Sequence, residues 1–311
     1  MKIHISGSLA YDRIMDFPGH FKDHILSEKV HMINVSFGIN VLKENFGGTA
    51  GNIAYTLKLL GSDPTIVGTA GRDFRPYAEW LRKHKISMAG IKIIPSELTA
   101  GAYIITDRSN NQITAFHFGA MSHSVGKLGT PGKNSLVIIS PGNASDMVKT
   151  VRACKKGGMP YIFDPGQQIP ALITKDLRYL LEGSDMFIVN DYEYALVTKR
   201  LKLSQTKLMK MTNTAIITKG DKGSQVTTAN GTFSVRAVTP RKVVDPTGAG
   251  DAFRSGLIHG IIKKYPLKKA VQLATLVATY PIEHHGTQEH RFTKKEIANR
   301  FISNFKAKLT N

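Results

Sequence analysis

The 311-residue chain is predicted to fold as an α/β protein: a three-layer α/β/α core with a mainly parallel sheet, plus a small β-sheet lid. Three observations predict this. Short apolar runs alternate with helical stretches along the chain. Most of those runs stop at Gly, Asp or Asn. Two further segments break the pattern, because polar and apolar residues alternate along them. Strands that alternate with helices build right-handed βαβ units and a parallel sheet covered on both faces.

The elements follow in order. "KIHISGS" (2–8) reads as a buried strand ending in a glycine turn. "GTAGNIAYTLKLLG" (48–61) carries Ile53, Leu57 and Leu60 at helical spacing and stops at Gly61. "PTIVGTAG" (64–71) is the next strand, and "FRPYAEWLRKHK" (74–85) is an amphipathic helix. "SLVIISPG" (135–142), "MPYIFDPG" (159–166), "DMFIVND" (185–191) and "TAIITKG" (214–220) are four more strands. Ligands collect at the carboxyl ends of such strands. Residues 29–47 and 96–118 read as antiparallel strands outside the parallel core, the second with a hairpin turn at "DRSNN". The expected organisation is one domain, 1–311, with a discontinuous lid from about 11–17, 29–47 and 96–118.

Composition bounds the function. Hydrophobic content of 41% and charged content of 21% are ordinary for a soluble globular protein. The single cysteine, Cys154, cannot form an internal disulfide and fits a reducing compartment. No apolar run approaches the roughly 18–20 residues that span a bilayer. The start is too soon polar for a signal peptide, so a cytoplasmic protein with no membrane partner is expected. The net charge of +19 could attract nucleic acid, but the basic residues are dispersed and no RNA-reading aromatic signature is present. No nucleic-acid partner is expected. A basic field would draw in a polyanionic substrate such as ATP.

The chemistry gathers at "DPTGAGDAF" (245–253). An extended segment precedes it. "DAFRSGLIHGIIKKY" follows at helical spacing, so 248–251 open a helix. There the first amides lack intrahelical partners and the dipole is positive. Small residues let an anion approach closely. Asp251 in that turn is either a dipole-favouring aspartate or a carboxylate beside an anion hole, as phosphoryl transfer requires. Neither the Walker A sequence nor the protein-kinase motif set is present.

"DPTGAGDAF" resembles the C-terminal signature of the ribokinase (PfkB) family of sugar and nucleoside kinases. "GGTAGNIAYTLKLLG" (47–61) resembles its N-terminal signature, and the two span nearly the whole chain in order. The resemblance implies a ribokinase-like fold and an ATP-dependent kinase. It implies that Asp251 is the base and that the Gly248, Ala249 and Gly250 amides form the anion hole. Asp12, Gly48 and Asn52 match substrate-contacting positions. "NDYE" (190–193) is similar to the N-x-x-E motif, which implies that Asn190 and Glu193 organise Mg²⁺ and phosphate through water. "TKGDKG" (218–223) is similar to the nucleotide loop, which lays Thr218, Gly220 and Gly223 along ATP. Asp245 and Thr247 resemble the start of a monovalent-cation loop, K⁺ being the expected ion, with "PIEHHGTQEH" (281–290) supplying further carbonyls. Two histidines and Glu283 there depart from ribokinase itself.

Each position also has a plain structural reading. Asp12 could form a strand-end turn. Gly48 and Asn52 could open a helix. Asn190 and Glu193 could be a cap and its third-position partner. "KGDKG" could be a hairpin turn. His284, His285 and His290 could suggest a metal site, but a loop near the adenine and cation region fits better, because no zinc-ligand frame is evident.

The lid decides the substrate. A nucleoside needs an apolar slot for its base, and the lid segments hold Met32, Phe37, Phe46, Tyr103, Phe116 and Phe118, of which Phe116 is the expected substrate contact. "YDRIMDFPGHF" and "GTQEH" resemble the bacterial adenosine-kinase-like branch. The expected reaction is therefore phosphorylation of a nucleoside 5′-hydroxyl, adenosine first. The alternatives are a sugar kinase of the same family and a non-catalytic nucleoside or sugar sensor. Pairing of two apolar lids would give a homodimer.

Overall fold

The structure is a computed structural model that describes residues 1–26, 31–109, 111–126, 132 and 134–309. Lys29 and Val30, at the head of the expected 29–47 lid segment, and Asn110, in the expected hairpin turn, lie outside the described residues.

The elements run β1 (Lys2–Ser6), β2 (Ala10–Asp16), β3 (Val41–Gly47), α1 (Thr49–Leu59), β4 (Pro64–Gly71), α2 (Arg75–Lys83), β5 (Ser87–Ile94), β6 (Ala100–Thr106) and β7 (Gln112–His117). Then come β8 (Ser135–Ile139), α3 (Ala144–Gly157), β9 (Tyr161–Phe163), α4 (Thr174–Leu181), β10 (Ser184–Asn190), α5 (Asp191–Leu201), α6 (Gln205–Leu208) and β11 (Thr212–Thr218). The chain closes with β12 (Ser224–Thr228), β13 (Gly231–Val235), α7 (Ala249–Ile262), α8 (Leu267–Val277), α9 (Thr279–Ile282) and α10 (Lys294–Phe305).

Nine strands form the large sheet in the order β13-β12-β11-β10-β9-β8-β1-β4-β5. The pairs from β11 through to β5 are parallel, as expected. β12 and β13 add an antiparallel edge that was not anticipated. Its signal was in the sequence: alternation in "SQVTTANGTFSV" around an Asn-Gly turn. The "KGDKG" segment is indeed the link of an antiparallel pair, β11 with β12.

Successive residues of the central strands divide between two cores. Ile138, Ile162, Ile188 and Ile216 pack with α1, α7 and α8. Their neighbours Val137, Ile139, Phe163, Phe187, Val189 and Ile217 pack with α3, α4 and α5. A strand buried on both faces reads as a continuous apolar run, which is why these four were legible.

The second sheet has the order β3-β2-β6-β7. It corrects two expectations. Among the described residues of 29–47, only Val41–Gly47 is strand. The sheet is mixed, because β2 pairs with β6 in parallel while β2–β3 and β6–β7 are antiparallel. The chain leaves β2 and returns through β3, α1, β4, α2 and β5 before β6, and such a crossover permits a parallel neighbour where a short hairpin does not.

α7 and α8 pack closely because α7 is bare where they meet. A Cβ on Gly256 would lie 2.7 Å from Ala274 Cα, and one on Gly260 2.7 Å from Ala270 Cβ. Gly256→Val should therefore overpack this contact and cost about 1–3 kcal/mol. A lower urea midpoint is the expected result, and a midpoint equal to wild type would contradict the packing described.

Candidate active site

The order in which successive strands are added to the large sheet reverses at β1. β4 and β5 lie on one side of it, and β8 follows on the other. A crevice opens at the carboxyl ends of strands at such a point. Here the two sides close tightly on the turn after β1: the Gly7 amide donates to Val67 O at 3.2 Å, and Ser8 N to Pro141 O at 2.9 Å. β2 then rises into the small sheet, carrying Asp12 to the crevice.

Gly248 caps α7 with φ of +82°, and no side chain caps the helix. Ala249, Gly250 and Asp251 form its first turn. The Ala249 amide donates to Pro246 O at 3.3 Å, and the neighbouring amides of this turn face the position an anion would take. Gly48 has φ of +83°, and a Cβ there would lie 2.6 Å from Ala10 N and from Ser8 O. It brings the start of α1 hard against the β1–β2 turn.

Asn52 joins the two helices. Its Nδ2 donates to Asp251 Oδ2 at 2.8 Å. Its Oδ1 takes Thr287 Oγ1 at 2.8 Å and Gln288 Nε2 at 3.0 Å. With two donors on the oxygen, the amide nitrogen must face Asp251. Gln288 is fixed in turn: its Oε1 accepts from Trp80 Nε1 at 3.0 Å, and its Nε2 donates to Tyr77 Oη at 2.6 Å. Thr287 and Gln288 were noted in the sequence only within "GTQEH" and given no role of their own, 281–290 being read as a cation and adenine loop.

Three carboxylates share this space. Burial raises the Asp251 pKa to about 7; Arg254 and the Asn52 hydrogen bond pull it down, while Asp164 and Asp12 push it up. Burial and then Asp245 raise Asp12 to about 6. Asp245 is tied into loops on both sides, accepting from Thr247 N at 2.9 Å and Gly286 N at 3.4 Å. Thr247 itself is exposed.

Asn190 and Glu193 realise the plain reading in full. Asn190 Oδ1 accepts from Glu193 N, and Glu193 Oε2 from Asn190 N, both at 2.8 Å, a complete capping box. Burial raises the Glu193 pKa, the hydrogen bond from the Asn190 amide lowers it, and Asp164 and Arg254 act on it in opposite directions. Asn190 is the register partner of Thr218 on β11. Gly220 and Gly223 follow in the turn to β12, at φ of +57° and +84°. A Cβ on Gly223 would lie 2.1 Å from Val235 O, whereas Gly220 stands in open space.

Two buried residues were missed. Arg254, 7% exposed, forms a two-pronged ion pair with Asp164, 1% exposed, at the end of β9. Burial opposes the charge of Arg254, but Asp164, Asp251 and Glu193 outweigh it and raise its pKa.

The lid resolves into two faces. Asn45, Asp12, Ala102 and Phe116 are successive register partners across β3, β2, β6 and β7, so all four lie on one face. Phe116 is 41% exposed and meets Phe118 edge-on at 5.2 Å. Tyr103 belongs to the opposite face, where its hydroxyl accepts from Arg13 at 3.1 Å. Phe46 packs against Tyr77 and Trp80, and Phe37 against Phe17 and Phe21. Those three are packing residues, not slot walls.

The histidines of 281–290 point apart. His290 is buried with Nε2 3.1 Å from Thr56 Oγ1, His284 Nδ1 lies 2.9 Å from Tyr280 O, and His285 is exposed. Among the described residues, no cluster of three or more His, Cys, Asp or Glu is placed to hold a metal. Also among them, no helix is long and apolar enough to cross a membrane.

The chain is similar over most of its length to known kinases. A nucleoside kinase from Burkholderia thailandensis, in complex with inosine, superimposes with a TM-score of 0.89 and 39% identity, covering 98% of this chain and 99% of that one. A nucleoside kinase from Methanocaldococcus jannaschii is 29% identical over 282 residues, 89% of this chain and 93% of that protein. An ATP-dependent 6-phosphofructokinase from Thermoanaerobacterium thermosaccharolyticum is 27% identical over 288 residues, 83% of this chain and 86% of that protein. Residues 33–294 match the pfkB family carbohydrate kinase family. With its ribokinase-like fold, the chain belongs to this family, whose enzymes transfer a phosphoryl group to an alcohol acceptor.

Proposed function

We propose that the protein is an ATP-dependent nucleoside kinase acting on the 5′-hydroxyl, with adenosine the first candidate. One observation carries the reading: Asn52 holds the Asp251 carboxylate at 2.8 Å beside the uncapped start of α7. A base must be ionised and oriented near neutral pH, and Asp251, raised to about 7, is poised for that task. Two points support a nucleoside. The relatives described above include two nucleoside kinases, one of them in complex with inosine. Phe116 offers an exposed ring on the face that carries Asp12.

In this mechanism Asp12, Asn52 and Gly48 seat the sugar, and Phe116 lies against the base. Asp251 takes the 5′-hydroxyl proton as its oxygen bonds to the γ-phosphorus. The bridging bond to the β-phosphate breaks, and ADP leaves. The Gly248, Ala249 and Gly250 amides hold the transferring charge. Thr218, Gly220 and Gly223 line the nucleotide, where open space at Gly220 leaves room for it. Asn190 and Glu193 would hold Mg²⁺ through water, which suits an ion that keeps its waters and binds mainly to phosphates. The fit is electrostatic: Asp164, Glu193 and Asp251 surround a single arginine, and that excess of negative charge favours a cation. Mg²⁺ supplies neutralisation of phosphate charge. Asp245 and Thr247 are the proposed K⁺ contacts.

Turnover of ATP to ADP, with Mg²⁺ and with or without K⁺, tests the reading on adenosine, inosine, guanosine, cytidine, ribose, fructose and fructose 6-phosphate. Turnover of a nucleoside is expected. Turnover of sugars alone would overturn the substrate and leave the chemistry. Asp251→Asn should lower kcat by about 10²–10⁴-fold with nucleoside affinity nearly unchanged; a wild-type kcat would rule Asp251 out as the base. kcat/KM should rise with pH through about 7 as the carboxyl loses its proton. Asn52→Leu removes a hydrogen bond to the charged form, so it should move that limb to higher pH. A limb that stays or falls would contradict the role given to Asn52.

A further inference from the structure

Arg254 follows the last residue of the 245–253 motif. Its Nε and Nη2 clasp both oxygens of Asp164, and its Nη1 donates to the Gly250 carbonyl at 2.9 Å. One side chain thus ties the first turn of α7 to the end of a central strand. Gly250 is shaped to it, since a Cβ there would lie 2.9 Å from Nη1. The motif's second glycine makes room on the protein side as well as toward an anion.

A buried ion pair is weak evidence of stability, because an apolar pair of similar shape often holds a fold equally well. An apolar pair cannot grip the Gly250 carbonyl or leave a positive charge between Asp251 and Glu193. We propose that Arg254, oriented by Asp164, is a positioning residue of the phosphoryl-transfer site. It sets the first turn of α7 so that the 248–251 amides and the Asp251 carboxylate converge on one point. This rests on the site assignment above. A displacement of about 1 Å in such a site costs on the order of a hundredfold in rate.

The decisive variant is the double replacement Asp164→Leu/Arg254→Met, which removes both charges and leaves neither buried alone. The expected result is a folded protein with a urea midpoint near wild type, kcat lower by about a hundredfold, and KM for the panel's fastest acceptor within about threefold. Hydrogen exchange in the ligand-free protein should quicken at amides 249–253 and not elsewhere in the core. A folded double variant with near-wild-type kcat would overturn the proposal. Should the double variant not fold, Arg254→Lys keeps the charge and loses the two-pronged grip. It should lower kcat at least about tenfold with the same local rise in exchange; no change in either overturns the proposal. If wild type turns over nothing in the panel, the chemical assignment fails separately. Exchange alone then decides: faster at 249–253 in the variants supports the positioning role, and unchanged exchange refutes it.

Discussion

Asn52 and Asp251 stand 199 residues apart and meet in one hydrogen bond. That contact requires α1 and α7 to lie side by side, and Ser255 Oγ, donating to Ile53 O at 3.1 Å, reinforces it one turn further on. α1 can lie there only if Gly48 turns at positive φ against the β1–β2 link. α7 can lie there only if Gly256 and Gly260 leave space for α8. The small sheet and the large one are positioned by the same constraint, since the link between β1 and β2 that α1 meets at Ser8 and Ala10 leads directly into the strand that carries Asp12.

The electrostatics invert those of the whole molecule. The chain carries a net charge of +19, yet the site concentrates Asp164, Glu193 and Asp251 around one buried arginine, with Asp12 and Asp245 acting on one another beside them. Burial is the first cause of the raised pKa at Asp12, Glu193 and Asp251. Carboxylates crowded out of water hold their charge at a cost that a neighbouring cation relieves. A basic exterior attracts a polyanion from a distance. An acidic interior then accepts it best when it arrives with its own cation, so the two fields are complementary.

Much of this was legible in the sequence, for a physical reason. Strands buried on both faces are continuous apolar runs, and Gly-rich helix starts announce themselves because only Gly tolerates φ near +82° without strain. Asp251 and the first turn of α7 were found that way, whereas Asp12, Asn52 and Asp245 were named only through the resemblance to the ribokinase family. Arg254 was not, because a basic residue one turn into a helix normally faces solvent. Asp164 was not, because "DPG" after a strand reads as a turn. Thr287 and Gln288 sit in a loop with no periodicity. What makes them matter is a partner more than 230 residues away, and no local pattern encodes such a partner. Phe116 shows the converse: parity along the strand, once register is fixed, separates it from Tyr103, although both count equally in a tally of lid aromatics.

The glycines of "GAG" illustrate how a motif can be read correctly for an incomplete reason. Bareness at 248 and 250 was taken as room for an anion. Gly248 also holds a left-handed backbone and faces Thr287, whose Cγ2 would lie 3.0 Å from a Cβ. Gly250 also admits the guanidinium of Arg254. A side chain at either position would displace a neighbour that orients the site: Thr287, which holds Asn52, or Arg254, which holds the helix start. On the proposed function, the space that would let phosphate approach is the same space that lets the protein fix its own donors. An anion hole works only when its donors are already aimed, and under that reading the missing side chains serve that aim from behind.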